Sequence, residues 1–132
     1  MNPAAMNSEV QKRGLRQRFS GIVLLGYWVA LFIATHIPLT RMPLPGQSDK
    51  SAHFLAYAGL AILFCWWSLH GERKWWSVFL ILAAYAVVDE LLQYPVNRHP
   101  DVWDALADWV GVLAGIAVFA LLRGWNKRHD AA

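Results

Sequence analysis

Six of the nine acidic residues (Asp49, Asp89, Glu90, Asp101, Asp104 and Asp108) fall in three short stretches of the chain, together with Lys50, His53, Gln93 and Arg98. Carboxylates near a histidine are the material of general acid/base chemistry, and an arginine fork holds an anionic group bidentately. His53, Asp89 and Glu90 are therefore the candidate catalytic groups. Asp49, Lys50, Tyr57, Gln93, Arg98, Asp101, Asp104 and Asp108 are candidate ligand contacts. Each has a structural alternative. His53 can be a buried histidine satisfied by Asp49 or by an acid on another helix, and Asp89 with Glu90 can form a salt bridge to Arg98. A metal held by such a set would be a hard divalent cation, because the donors are mostly oxygen. No H-x-x-x-H or C-x-x-C spacing occurs, so no metal and no other cofactor is expected. Nucleophilic catalysis has little support: Ser51 stands two residues before His53, off its helical face, and glycine-rich phosphate loops are absent.

The elements that must position these groups are apolar. The chain has 132 residues, 57% hydrophobic and only 16% charged, with eight tryptophans. Soluble domains run about 25% charged. Charged residues are missing from 19–37, 54–69, 75–88 and 109–122. A membrane helix needs about 20 mostly apolar residues, and the last two runs reach that length only by including Asp89, Glu90 and Gln93, or Asp104 and Asp108. A soluble bundle would show a polar stripe on each helix, whereas 20–34 and 110–122 are apolar all round. The fold class expected is all-α, an integral membrane four-helix bundle. Its helices are placed near 19–37, 52–70, 75–94 and 102–122 of a 19–125 domain, after a polar lead at 1–18 and before a tail at 126–132. The first run exceeds a signal-peptide core and no A-x-A-like site follows it, so it reads as an uncleaved span. Ser48 is the expected N-cap of the second helix, and Pro100 suits the start of the fourth. The lone Cys65 lies mid-span and reads as a small core residue.

Nine of the twelve Lys and Arg residues lie in the N-terminal segment, the middle loop and the C-terminal tail, and only Arg41, Lys50 and Arg98 on the opposite side. The positive-inside rule then puts both termini in the cytoplasm and the acids on the extracytoplasmic side of the cytoplasmic membrane. Trp66, Trp67, Trp75 and Trp76 bracket the middle loop as an interfacial belt. A net charge of +3 is weak grounds for nucleic acid, and anionic lipid headgroups explain the basic tail better. Helical spacing sets Asp49 and His53 four apart, and puts Lys50, His53 and Tyr57 on one ridge. Gln93 can hydrogen-bond Asp89 or Glu90, which themselves point about 100° apart. Asp101, Asp104, Asp108, Gly111 and Gly115 share one face, with the glycines allowing close helix contact.

Three segments, D-K-S-A-H-F-L-A-Y-A-G-L-A at 49–61, D-E-L-L-Q-Y-P-V-N-R at 89–98 and D-x-x-D-A-L-A-D-x-x-G-x-x-x-G at 101–115, together resemble the VanZ-like membrane family. The resemblance covers about 35–115 and maps the family's motif residues onto Asp49, Lys50, His53, Tyr57, Asp89, Glu90, Gln93, Arg98 and Asp104. Members often carry Asn where Asp108 stands and Ser or Thr near Asp101. The namesake is associated with low-level teicoplanin resistance, so the resemblance implies a fold and a functional face more than a reaction. The expectation is an outer-face pocket between helices 2, 3 and 4 for a cell-envelope lipid or lipid-linked wall intermediate. Arg98 would hold its anionic group, and Asp89, Glu90 and His53 would position it or handle protons. The alternatives are a small proton- or cation-linked transport element, homo-oligomeric, or a non-catalytic partner of envelope enzymes.

Overall fold

Four apolar runs of this length must pair their backbone groups internally, and α-helices do so within each segment. The computed structural model describes residues 3–37, 49–68, 74–96 and 101–129. They form α1 (Pro3–His36), α2 (Asp49–Ser68), α3 (Trp75–Gln93) and α4 (Val102–His129), with a short 3₁₀ turn at Tyr94–Val96. No strand occurs among the described residues. All four helices contain a stretch long and apolar enough to cross a membrane: Met6–His36, Lys50–Ser68, Trp75–Gln93 and Val102–Gly124. Their outward faces carry large apolar side chains such as Ile22, Leu55, Leu91 and Leu121, each more than 60% exposed. Water would penalise such a surface, whereas hydrocarbon matches it.

Two helices outrun the apolar pattern. α1 starts at Pro3 instead of 19, and α4 continues to His129 instead of 122. Residues 4–18 are mostly good helix formers (Ala, Glu, Gln, Lys, Arg, Leu), and extending an existing helix avoids the cost of a new nucleus. Pro3 occupies the first helical position, where its missing N–H is not needed. α2 begins at Asp49, three residues earlier than its apolar run suggests. Ser48 and Pro100, expected at the starts of α2 and α4, lie outside the described residues. α4 is capped by Asp101, whose Oδ1 accepts the Trp103 backbone N–H at 2.9 Å, the usual service of an aspartate at this position.

Contacts between helices fix their directions. Trp109 donates its indole N–H to the Ala83 carbonyl at 3.1 Å, and the Asp101 N–H meets Glu90 Oε2 at 3.0 Å, so α3 and α4 are antiparallel. Tyr27 donates to the Ala56 carbonyl at 2.9 Å, and Gly21 faces Trp67, so α1 and α2 are antiparallel too. α2 and α4 run parallel and form the most extensive pairing in the bundle. Gly111 lies against the backbone of Phe54, and Gly115 against Ala58 and Ala61, so closely that neither has room for a Cβ. The D-x-x-G-x-x-x-G face of α4 is thus a packing seam against α2. Below it the core is Leu24, Leu60, Phe64, Val78, Leu82 and Val112 with the fully buried ring of Tyr57.

Candidate functional site

Alternating helix directions bring the C-terminal ends of α1 and α3 and the N-terminal ends of α2 and α4 to the same end of the bundle. Every polar group singled out in the sequence and described in the structure gathers there, in three linked groups.

At the outermost level, the Lys50 ammonium lies 2.9 Å from Asp101 Oδ2 and 3.2 Å from Asp104 Oδ1. The Lys50 ammonium, and next the Trp103 N–H, hold the Asp101 carboxyl below the ordinary aspartate range. Lys50 sits one turn above His53, Asp101 caps α4 and Asp104 lies in its first turn, so the parallel α2–α4 seam brings them together.

One turn deeper, His53 Nδ1 lies 3.0 Å from Asp108 Oδ1 and 3.9 Å from Glu90 Oε1. His53, Glu90 and Asp108 come from three different helices, and all are buried. One partner of the histidine is thus an acid on another helix, while the side chain of Asp49 lies outside the described residues. Glu90 is held in place on both sides: Gln93 donates to Oε1 at 3.2 Å, and the Asp101 backbone N–H donates to Oε2 at 3.0 Å. Asp108 Oδ2 is buried and makes no hydrogen bond among the described residues. The Tyr57 hydroxyl, one turn below His53 on the same face of α2, is equally buried and makes no hydrogen bond of regular geometry, although it feels the charges of Asp89 and Asp108.

The third group surrounds Asp89. The hydroxyls of Thr35 and Tyr85 reach its Oδ1 at 3.2 and 3.3 Å, and His36 Nδ1 stands 3.9 Å away. Its other oxygen, Oδ2, is buried without a partner among the described residues. Asp89 and Glu90 therefore serve different neighbours, α1 and α2–α4 respectively, as their angular separation on α3 requires. The polar cluster draws on all four helices. None of Thr35, His36 and Tyr85 is among the candidate site residues read from the sequence. Tyr85 precedes Asp89 by one helical turn, a signal legible in the sequence, whereas nothing in the sequence pairs Thr35 with α3. Arg98, expected as the partner of the carboxylates, lies outside the described residues.

This polar end, built from one lysine, two histidines and five acids on four membrane-length helices, gathers the motif residues whose side chains are described. A sequence model of the VanZ/LLP1 family matches residues 5–123. The chain belongs to the VanZ/LLP1 family. Neither a curated protein nor a solved structure matches it. In this VanZ/LLP1 chain the matched range takes in all four spans and every member of the polar cluster. The three motifs of the sequence thus each contribute to one polar cluster.

Proposed function

We propose that this VanZ/LLP1 protein binds a cell-envelope lipid or lipid-linked wall intermediate by its headgroup, at the polar end of the bundle on the extracytoplasmic side of the cytoplasmic membrane. The observation that carries the reading is the buried His53–Asp108–Glu90 group, with Asp89 beside it. Ionisable residues inside a membrane are costly, and they mark functional sites by default. A purely structural network would satisfy its atoms, yet Asp108 Oδ2 is buried without a hydrogen-bond partner among the described residues. In this reading Arg98 holds the anionic part of the headgroup, while His53, Asp89 and Glu90 position it and handle protons. Lys50, Asp101 and Asp104 form the rim. An altered teicoplanin susceptibility would follow if the ligand is a wall precursor.

The test is native mass spectrometry of the detergent-extracted protein, wild type beside Arg98→Ala. A specific anionic or polyprenyl lipid retained by the wild type and lost from a correctly inserted variant supports the reading. Full retention by a folded Arg98→Ala protein removes Arg98 from it. No lipid on either form, with proton flux in liposomes that Asp89→Asn abolishes, replaces it by the transport reading. The side of the membrane is checked with an impermeant thiol reagent, which should label Gln47→Cys and not Gly71→Cys in intact cells. The reverse pattern would place the cluster in the cytoplasm.

A further inference from the structure

The polar cluster presents an anionic ligand with several acids. Asp89, Glu90 and Asp108 are all buried, and no lysine or arginine among the described residues forms an ion pair with any of them. Lys50 is committed to Asp101 and Asp104. A phosphate entering this end would meet three carboxylates, and buried charge of one sign needs a counter-charge.

We infer that His53, Glu90 and Asp108 form a binding site for a hard divalent cation of the Mg²⁺ or Mn²⁺ type. The three residues each offer one donor atom, and these atoms lie within 4.8 Å of one another. Donors about 2.1 Å from an ion stand about 3.0 Å apart when they are neighbours in an octahedron. The His53–Asp108 separation is 3.0 Å as it stands. Glu90 stands 3.9 Å from His53, so it must close by about 0.9 Å to reach the same octahedral spacing. The second, independent observation is the buried and unpartnered Asp108 Oδ2, beside a donor atom already in the site. With an ion bound, that carboxylate has a use for both oxygens. One imidazole with two carboxylates suits a hard cation better than copper or a thiol-bound metal.

Sequence spacing concealed this set. No metal was expected because no H-x-x-x-H or C-x-x-C spacing occurs along the chain. The structure supplies one ligand from each of α2, α3 and α4. Hydrogen bonds that would orient Glu90 as a ligand are also present: its Oε2 is fixed by the Asp101 N–H and its Oε1 by Gln93, as metal ligands require. The inference shares residues with the headgroup reading, and rests on it only for the anion that the ion would bridge. An ion here would turn an acidic end into one that accepts phosphate.

The test uses the full-length protein in nanodiscs of phosphatidylcholine alone, stripped with chelator and titrated with Mn²⁺ under electron paramagnetic resonance. The expected result is one Mn²⁺ per chain, with ¹⁴N coupling from an imidazole in the echo-modulation spectrum. His53→Gln should abolish that coupling and weaken binding at least about tenfold, and the isosteric Asp108→Asn should weaken it similarly. Circular dichroism identifies which variants are folded. If neither folds, the wild-type stoichiometry and nitrogen coupling decide the matter. No binding, binding without nitrogen coupling, or wild-type affinity in a folded variant overturns the site. Because no anionic lipid is present, failure here leaves the headgroup reading to its own mass-spectrometric test.

Discussion

Replacing His53 and Asp108 by leucine, singly and together, measures what the buried pair contributes. The imidazole is 4% exposed and the carboxylate 0%, with 3.0 Å between Nδ1 and Oδ1, so neither group shares its bond with water. Hydrogen bonds to charged groups contribute about 1.5–3 kcal/mol. Polar contacts between membrane helices average about 0.6 kcal/mol and reach about 1.7, because the unfolded chain in the membrane also finds partners. A charged, fully buried pair belongs at the upper end, so we expect a coupling of about 1.5–2 kcal/mol, roughly 10–30-fold in the unfolding equilibrium. Each single variant also strands a buried polar partner, at about 1–3 kcal/mol. The double variant strands neither and should recover part of that loss, as replaced buried pairs do. Steric trapping in bicelles, with chelator present throughout, gives the four unfolding free energies of the cycle. A coupling at or below about 0.6 kcal/mol would refute the reasoning, since the pair would then be worth no more than an ordinary interhelical contact.

Two further outcomes follow from the packing and the rim. Gly111→Val and Gly115→Val should each destabilise by about 1–3 kcal/mol or more, because a Cβ there meets the α2 backbone, which cannot rotate away. Gly26→Ala, with nothing within 4 Å of its added Cβ, should stabilise by about 0.5–1 kcal/mol; thermal unfolding of the three variants decides. For the rim, Asp101 is held down by Lys50, so its contribution is complete above the ordinary aspartate value of about 3.9 and is lost as pH falls below it through the lowered folded value. The Tm difference between wild type and Lys50→Met should therefore be present at pH 7, shrink under acidification below that value, and also shrink with added salt. A difference that grows on acidification would contradict the assignment.

Much of this molecule is legible along the chain. Four apolar runs, each bounded by charge, require four membrane helices whatever their packing, because hydrocarbon leaves backbone groups no other partner. Periodicity alone placed Asp101, Asp104, Asp108, Gly111 and Gly115 on one face, and separated Asp89 from Glu90. It also offered Gln93 to Glu90, the bond that forms. Helix ends were less legible, since 4–18 and 123–129 carry polar residues that propagate a helix as well as apolar ones do.

Only tertiary structure decided who meets whom. Spacing rules describe neighbours within one helix, and the contacts of this site run between helices. His53 takes Asp108, 55 residues away, and Asp89 takes Thr35, 54 residues away. Lys50, a candidate ligand contact in the sequence, pairs with Asp101 and Asp104 at the rim. These choices follow from the depth at which Gly111 and Gly115 let α4 settle against α2, a distance set by backbone contact and written in no local pattern. The sequence alone determined that costly polar groups would sit at helix ends in a membrane. The three-dimensional packing determined that His53, Glu90 and Asp108 come together, because there three helices bring donor atoms within 4.8 Å of one another.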